Sequence, residues 1–132
     1  IFVNNAIYGM TGGQMAPTSL PGEQTSSSPY GKDGEKYGVL NLADLIGDLN
    51  ATYIARGEIY DVATPAKAKG YIKKAFQNQI EGKGFSLVEV VSACPTNWGM
   101  TPQKALEWVE SDMLPYYPLG VYKDRSAAKE EK

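Results

Sequence analysis

The sequence predicts an α/β fold, with a mostly parallel sheet flanked by helices, and three observations carry that prediction. Strand-like and helix-like stretches alternate along the chain. The strand-like ones are short apolar runs without polar alternation, the pattern of strands covered on both faces. Two helical stretches open on a Thr-Pro pair, at 64–65 and 101–102, a capping hydroxyl followed by the residue best suited to a first helical turn. Such alternation gives right-handed crossovers and a parallel sheet.

The first strand is Ile1-Phe2-Val3, which runs into Asn4-Asn5 and then into a loop carrying Gly9, Gly12 and Gly13. An apolar run stopped by residues that can turn is how a buried parallel strand ends. Ligands in open α/β sheets bind at the carboxyl ends of strands, so a site is expected here. The chemistry on offer is neutral oxygen: asparagine carboxamides and loop carbonyls. Mg²⁺ prefers oxygen in octahedral geometry and is often shared with a bound phosphate. Asn5 Oδ1 and the Ile7 carbonyl suit a Mg²⁺–diphosphate, and Gly12 and Gly13 let backbone approach it closely. The same spacing also suits an Asn-Asn turn followed by a plain glycine loop.

Residues 15–38 form a long polar loop, with Pro17, Pro21, Pro29 and the serines at 26–28 and no helical period. Unstructured stretches of this length are usually functional lids or disordered. Asn41 caps a short helix with Leu42, Leu45, Ile46 and Leu49 as its apolar stripe. A core strand follows at 52–57, and Arg56 at its end can meet an acid, a phosphate or a surface ion-pair partner. The helix from Thr64-Pro65 extends over 64–81 with Ala68, Tyr71, Ile72, Ala75, Phe76 and Ile80 on its buried face. Gly82 and Gly84 stop it, and Lys67, Lys69, Lys73 and Lys74 make a solvated face. The strand at 85–91 is β-branched and apolar except for Glu89, a carboxylate that needs a partner or a raised pKa. Cys94 follows it, as a small buried hydrophobe or a thiolate in a loop of amides. The last helix begins at Thr101-Pro102, buries Ala105, Leu106, Trp108, Val109 and Met113, and ends at Pro115. The aromatic stretch 115–122 is too Pro-rich for a helix and straps across the domain or packs on a partner. Residues 126–132 are charged and expected to fray.

Residues 4–19 resemble the second half of the thiamine-diphosphate motif in the β subunits of 2-oxoacid:ferredoxin oxidoreductases. That motif starts with Gly-Asp-Gly and ends about one βα unit later in Asn-Asn. The family's Thr-Gly-Gly-Gln stands here as Thr11-Gly12-Gly13-Gln14. A second match runs from Glu89 through Ser92-Ala93-Cys94-Pro95-Thr96-Asn97 to Gly99 and resembles the family's later strand and cysteine loop. The resemblance covers nearly the whole chain, but neither Gly-Asp-Gly nor the family's early cysteines are in it. It implies the C-terminal part of a thiamine-diphosphate-binding fold, with Asn4, Asn5, Ile7, Thr11, Gly12, Gly13 and Gln14 at the cofactor. It places Mg²⁺ on Asn5 and Ile7, and the 15–38 loop over the cofactor and a subunit interface. It makes Cys94 the fourth ligand of a 4Fe-4S cluster in members that carry one, and a free thiol here. No catalytic residue falls within the chain; the resemblance puts the activating glutamate on a partner subunit.

Length and composition fit a piece of such a subunit. The 132 residues read as a single α/β domain, short for an enzyme with its own cofactor cleft. Opening without Met inside a core strand, the chain reads as truncated. A net charge of −2, with basic residues balanced by acids, argues against nucleic acid. No apolar stretch is long enough to span a membrane, and one cysteine with no partner suits the cytoplasm. The absence of histidine removes imidazole bases and metal ligands. The expected function is therefore a share of the oxidative decarboxylation of a 2-oxoacid to acyl-CoA. Its partners are the other oxidoreductase subunits, ferredoxin, coenzyme A and the substrate, and this piece alone binds no cofactor and is inactive. The rivals are another thiamine-diphosphate enzyme and a non-catalytic α/β interaction module.

Overall fold

Apolar residues open the first strand and Asn4 closes it, but the strand is not the buried one expected: it lies at the edge of its sheet, with Val3 59% exposed. The computed structural model describes residues 1–61 and 63–127. In chain order it runs β1 (Phe2–Asn4), β2 (Ile7–Tyr8), β3 (Gln14–Met15), α1 (Gly34–Tyr37), α2 (Leu42–Gly47), β4 (Tyr53–Glu58) and α3 (Thr64–Ile80). It continues with β5 (Ser86–Val91), α4 (Pro95–Trp98), α5 (Pro102–Trp108), a π-helical turn (Val109–Met113), α6 (Leu114–Tyr116) and β6 (Gly120–Asp124). These elements gather into two compact units. One holds residues 1–3, 42–91 and the described chain from Tyr117 on; the other holds 4–41 and 92–116. Of the tail expected to fray, residues 128–132 lie outside the described residues.

The first unit is the sheet, in the order β1-β5-β4-β6. β4 and β5 run parallel, with Arg56 opposite Glu89, and β6 joins antiparallel with Tyr53 opposite Asp124. Every residue of β4 is buried, so successive side chains must find cover on opposite faces. Tyr53 and Ala55 pack with Val88, Val90 and Ala75, under Tyr71 and Ile72 of α3. Ile54 and Leu87 face the other way, onto Ala43 and Ala51, with Leu42 and Ile46 of α2 against them. Covered on both faces, these strands are buried along their length, charged residues included.

Both helix stripes differ from expectation. Leu45 and Leu49 are 57% and 60% exposed, and α2 buries Ala43 instead. On α3, Phe76 and Ile80 are 60% and 79% exposed, while Ala68, Ala75 and Asn78 are buried. Close approach explains the second case. A Cβ at Gly57 would lie 3.0 Å from the Ala68 Cβ, so α3 meets the sheet along its small residues and its bulky ones turn away. Nor does Thr64 cap α3 as expected. Asp61 Oδ1 accepts from the Ala63 and Thr64 amides at 2.8 and 2.7 Å, and the Thr64 hydroxyl reaches back to the Tyr60 amide at 3.0 Å. Those contacts, with burial opposing, hold the Asp61 carboxyl below its usual range.

The Glu89 carboxylate finds its partner on the neighbouring strand. Arg56 Nε and Nη2 both donate to Glu89 Oε2 at 2.8 Å, and the two side chains are 0% and 1% exposed. Arg56 is thus neither a surface ion pair nor a phosphate group's partner. Its Nη1 also meets the Pro118 carbonyl at 3.2 Å and the Tyr122 hydroxyl, with the rings of Tyr117 and Tyr122 at 5.3 and 4.9 Å. The aromatic tail is therefore a strap: Tyr117 is buried and β6 completes the sheet edge. Lys123 donates to the Gly47 and Leu49 carbonyls at 2.8 and 2.7 Å, at the end of α2.

In the second unit, Thr101 caps α5 as expected, its hydroxyl accepting from the Lys104 amide at 3.3 Å. Pro115 does not stop the helical run. The path widens into the π-helical turn and continues through Leu114–Tyr116; such a turn changes the i→i−4 pairing that proline would break.

Candidate functional site

The turn after β1 is built on a backbone conformation the sequence does not advertise. Ala6 has φ +58°, among described residues the one non-glycine position with positive φ. Both of its peptide groups are tied. Its amide donates to Asn4 Oδ1 at 3.0 Å, and its carbonyl accepts from Ser19 Oγ. Asn4, Ala6 and Ser19 are 1%, 0% and 0% exposed. The structure therefore turns the Asn4 carboxamide inward, onto its own loop. Asn5 is half-buried, and among described residues its side chain takes no hydrogen bond.

Ile7 begins the small hairpin of β2 and β3, with Ile7 opposite Met15 and Tyr8 opposite Gln14. The Met15 amide donates to Ser27 Oγ at 2.8 Å and the Ala16 amide to Ser19 Oγ at 2.9 Å. The hairpin loop closes on itself: the Gly13 amide reaches the Tyr8 carbonyl at 3.0 Å, and Thr11 Oγ1 donates to Gln14 Oε1 at 2.6 Å. Gly12 and Gly13 sit at φ +112° and +70°, conformations that glycine takes without strain. Nothing lies within 4 Å of where a Gly12 Cβ would be.

The second motif, more than eighty positions away in sequence, lands on this loop. The Ser92 amide donates to the Asn4 carbonyl at 3.0 Å, where β1 and β5 both end. A Cβ at Gly9 would come within 2.7 Å of Asn97 Nδ2 and 3.1 Å of Cys94 Sγ, and one at Gly13 within 3.1 Å of Asn97 Oδ1. Glycine at 9 thus leaves the space that the Cys94–Asn97 turn fills. Asn97 Nδ2 in turn donates to Cys94 Sγ at 3.3 Å, and the thiol is half-buried and free.

The 15–38 segment has more structure than a lid or a disordered loop. It contains α1, capped by the Asp33 carboxylate on the Glu35 and Lys36 amides at 3.1 Å, and it buries Ala16, Thr18, Ser19, Leu20, Glu23, Thr25 and Lys32. Lys32 is the centre: its ammonium donates to the Pro17 and Ser19 carbonyls at 2.9 and 2.7 Å. Burial lowers its pKa, opposed by the charge of Glu23. Burial likewise pushes the Glu23 carboxyl up to about 7, against the pull of the Leu20 amide, Lys32 and Trp98. Beside Glu23 lie two cavities of about 370 and 270 Å³, both touching Trp108. Sequence reasoning missed Ala6, Ser19, Lys32 and Asn97. Ala6, Ser19 and Asn97 lie inside the two resembling stretches, but nothing local in the sequence marks their roles.

These donors fit part of a metal–diphosphate site. A carboxamide oxygen, a backbone carbonyl and an open glycine turn are hard-oxygen and N–H groups of the kind Mg²⁺ and phosphate take. They are too few to enclose an ion, and among described residues no group of three His, Cys, Asp or Glu could hold one. Cys94, the single cysteine of the chain, does not fit a cluster by itself, since iron–sulfur clusters take four protein ligands. No helix among the described residues is long and apolar enough to cross a membrane.

The family model described as thiamine pyrophosphate enzyme, C-terminal TPP binding domain, matches residues 1–90. Ketoisovalerate oxidoreductase subunit VorA of Methanothermobacter marburgensis is 41% identical over 131 residues, covering 98% of this chain and 27% of that protein. 2-Oxoglutarate synthase subunit KorB of Archaeoglobus fulgidus is 37% identical over 112 residues, 85% of this chain and 38% of that one. The chain thus spans well under half the length of these curated relatives. The solved 2-oxoglutarate:ferredoxin oxidoreductase from Magnetococcus marinus, with 2-oxoglutarate, coenzyme A and succinyl-CoA bound, superposes with a TM-score of 0.61 at 22% identity. It covers 92% of this chain and 45% of its own, and shares the fold. With two thirds of its length matched by the family model, the chain belongs to the thiamine pyrophosphate enzymes, of whose C-terminal TPP-binding domain it is an example.

Proposed function

We propose that the chain is the C-terminal part of the β subunit of a 2-oxoacid:ferredoxin oxidoreductase. The whole enzyme would oxidatively decarboxylate a 2-oxoacid to acyl-CoA and pass the electrons to ferredoxin. One observation carries the reading: the Asn5–Gln14 loop and the Cys94–Asn97 turn, the two motifs of the resemblance, pack within one unit at the ends of β1 and β5. Relatives named VorA and KorB, at 41% and 37% identity, support it.

In this reading Asn5, through its carboxamide, and Ile7, through its carbonyl, hold Mg²⁺ against the diphosphate. Gly12 and Gly13 admit the phosphate oxygens, and Thr11 and Gln14 keep the loop closed through their mutual hydrogen bond. Thiamine diphosphate, when bound, supplies the nucleophilic carbon and electron sink, while the protein binds and orients it. The aspartate of Gly-Asp-Gly and the activating glutamate come from outside this chain. Cys94 contributes one thiolate to a 4Fe-4S cluster whose other three ligands also lie outside it. The working place is the cytoplasm, and the partners are the companion subunits, ferredoxin and coenzyme A. Ketoisovalerate and 2-oxoglutarate, the acids in the relatives' names, are the substrates to assay.

Two titrations test the proposal. By calorimetry with Mg²⁺ and thiamine diphosphate, this chain alone binds more weakly than the micromolar range, because it carries half of the grip. In the assembled enzyme, Asn5→Ala weakens cofactor binding by about tenfold or more, as lost metal-site contacts do. Micromolar binding by the chain alone, or full affinity in the Asn5 variant, refutes the assignment.

A further inference from the structure

We infer that Asn4 and Ser19 are positioning residues for the cofactor grip, acting by holding Ala6 in left-handed backbone, and that the 16–32 segment is the buttress behind them. The inference rests on the assignment of Asn5 and Ile7 as the gripping residues. The left-handed region is unfavourable for an L-residue, whose Cβ crowds the following carbonyl oxygen, and alanine lacks the side-chain hydrogen bond that helps asparagine there. Something must hold it. Ala6 is gripped from both sides, by Asn4 Oδ1 on its amide and Ser19 Oγ on its carbonyl, all buried. Its neighbours in sequence are the two proposed ligands, so the sharp turn at position 6 sets where the Asn5 side chain and the Ile7 carbonyl stand.

Ser19 is itself fixed. Its Oγ accepts from the Ala16 amide at 2.9 Å, its own amide donates to the Ala16 carbonyl at 3.0 Å, and its carbonyl accepts from Lys32 Nζ at 2.7 Å. A buried ammonium is thereby linked through one serine to the strained residue. Strain of this kind persists only where the surroundings over-determine it, and it clusters at sites that need preorganisation. Asn4 then acts behind the site, while Asn5 is the ligand.

The test is done in the full-length subunit assembled with its partners. Ser19→Ala raises the dissociation constant for thiamine diphosphate, in saturating Mg²⁺, by about tenfold, which corresponds to 1.4 kcal/mol. The Michaelis constant for the cofactor takes most of the change and kcat the smaller share. Adding Ala6→Gly to Ser19→Ala recovers a good part of the affinity, because glycine enters the left-handed region without help. A merely structural serine would lower thermal stability without this rescue. Should Ser19→Ala not fold, Ser19→Cys decides: it keeps the size with a weaker donor and is expected to lose several-fold in affinity. Wild-type affinity in the folded Ser19 variant, or no rescue by Ala6→Gly, overturns the inference provided Asn5→Ala weakens binding. Unchanged affinity in Asn5→Ala as well means that the gripping residues themselves were wrongly assigned.

Discussion

The two units of this chain are held together by different physics. In the sheet unit, strands and helices bury apolar side chains in two clusters, one on each face, and the buried charges of Arg56 and Glu89 are matched to each other. In the loop unit, the carboxamide of Asn4, the hydroxyl of Ser19, the carboxylate of Glu23 and the ammonium of Lys32 are buried against backbone. Apolar packing is non-directional and tolerates replacement by similar volume. Polar buttressing is directional, and it can hold a residue such as Ala6 where its own preference would not put it. The candidate site lies in the irregular unit, where directional contacts fix the backbone.

Breaking the Arg56–Glu89 pair inside the sheet should have the largest effect. Arg56→Met removes the guanidinium that neutralises the buried Glu89 carboxylate, and such losses cost about 3–5 kcal/mol. Arg56→Met together with Glu89→Leu should recover most of that, since well-packed apolar replacements of buried pairs are often neutral. Urea unfolding of the four proteins in the cycle measures it. If the single change costs less than about 1 kcal/mol, the sheet tolerates polar loss better than buried ion pairs generally do.

The same contrast sets what could be read from sequence. Both long strands, the α3 helix, the Thr101 cap and the need for a Glu89 partner were legible, because periodicity and capping are local signals. Which partner Glu89 takes was not, because the Arg56–Glu89 register is a property of the assembled sheet. The exposure of Phe76 and Ile80 was hidden for a similar reason: Gly57 and Ala68 decide which side of α3 comes close. In the loop unit the motif marked the place and the residue types, and no local rule could reveal the fit around it. Nothing in a Pro- and Ser-rich stretch distinguishes Ser19 from the serines at 26–28, and nothing marks Ala6 for a left-handed turn.

Glu23 sharpens the contrast through pH. Its carboxyl is pushed from 4.5 up to about 7 by burial, so between those values the folded chain keeps a proton that the unfolded chain releases. Stability therefore falls as pH rises through that window, by about 3 kcal/mol at most. Lys32 opposes the shift, and Asp112 lines one of the cavities beside Glu23. Glu23→Gln should flatten the slope between pH 5 and pH 7 in thermal melts, with little change at the acid end. An unchanged slope would assign the pH dependence to other groups.

Two lysines give the smallest effects and the most direct comparison. Lys32, 4% exposed, is held by two carbonyls in the loop unit. Lys74, whose side chain is 42% exposed, pairs with Asp124 across α3 and β6 and lies 5.1 Å from the centre of the Tyr53 ring. Lys32→Met strips the partner from two carbonyls, and a buried acceptor left unpaired costs about 1–3 kcal/mol. Relief from burying the ammonium offsets part of this, so a net loss of about 2 kcal/mol is expected, insensitive to salt because the group is shielded from solvent. Lys74→Met removes an ion pair in contact with water, whose loss costs less than about 1 kcal/mol and shrinks further as sodium chloride is raised toward 1 M. Equal losses for the two variants, with the same dependence on salt, would mean that the loop unit is held no differently from the solvent-facing edge of the sheet.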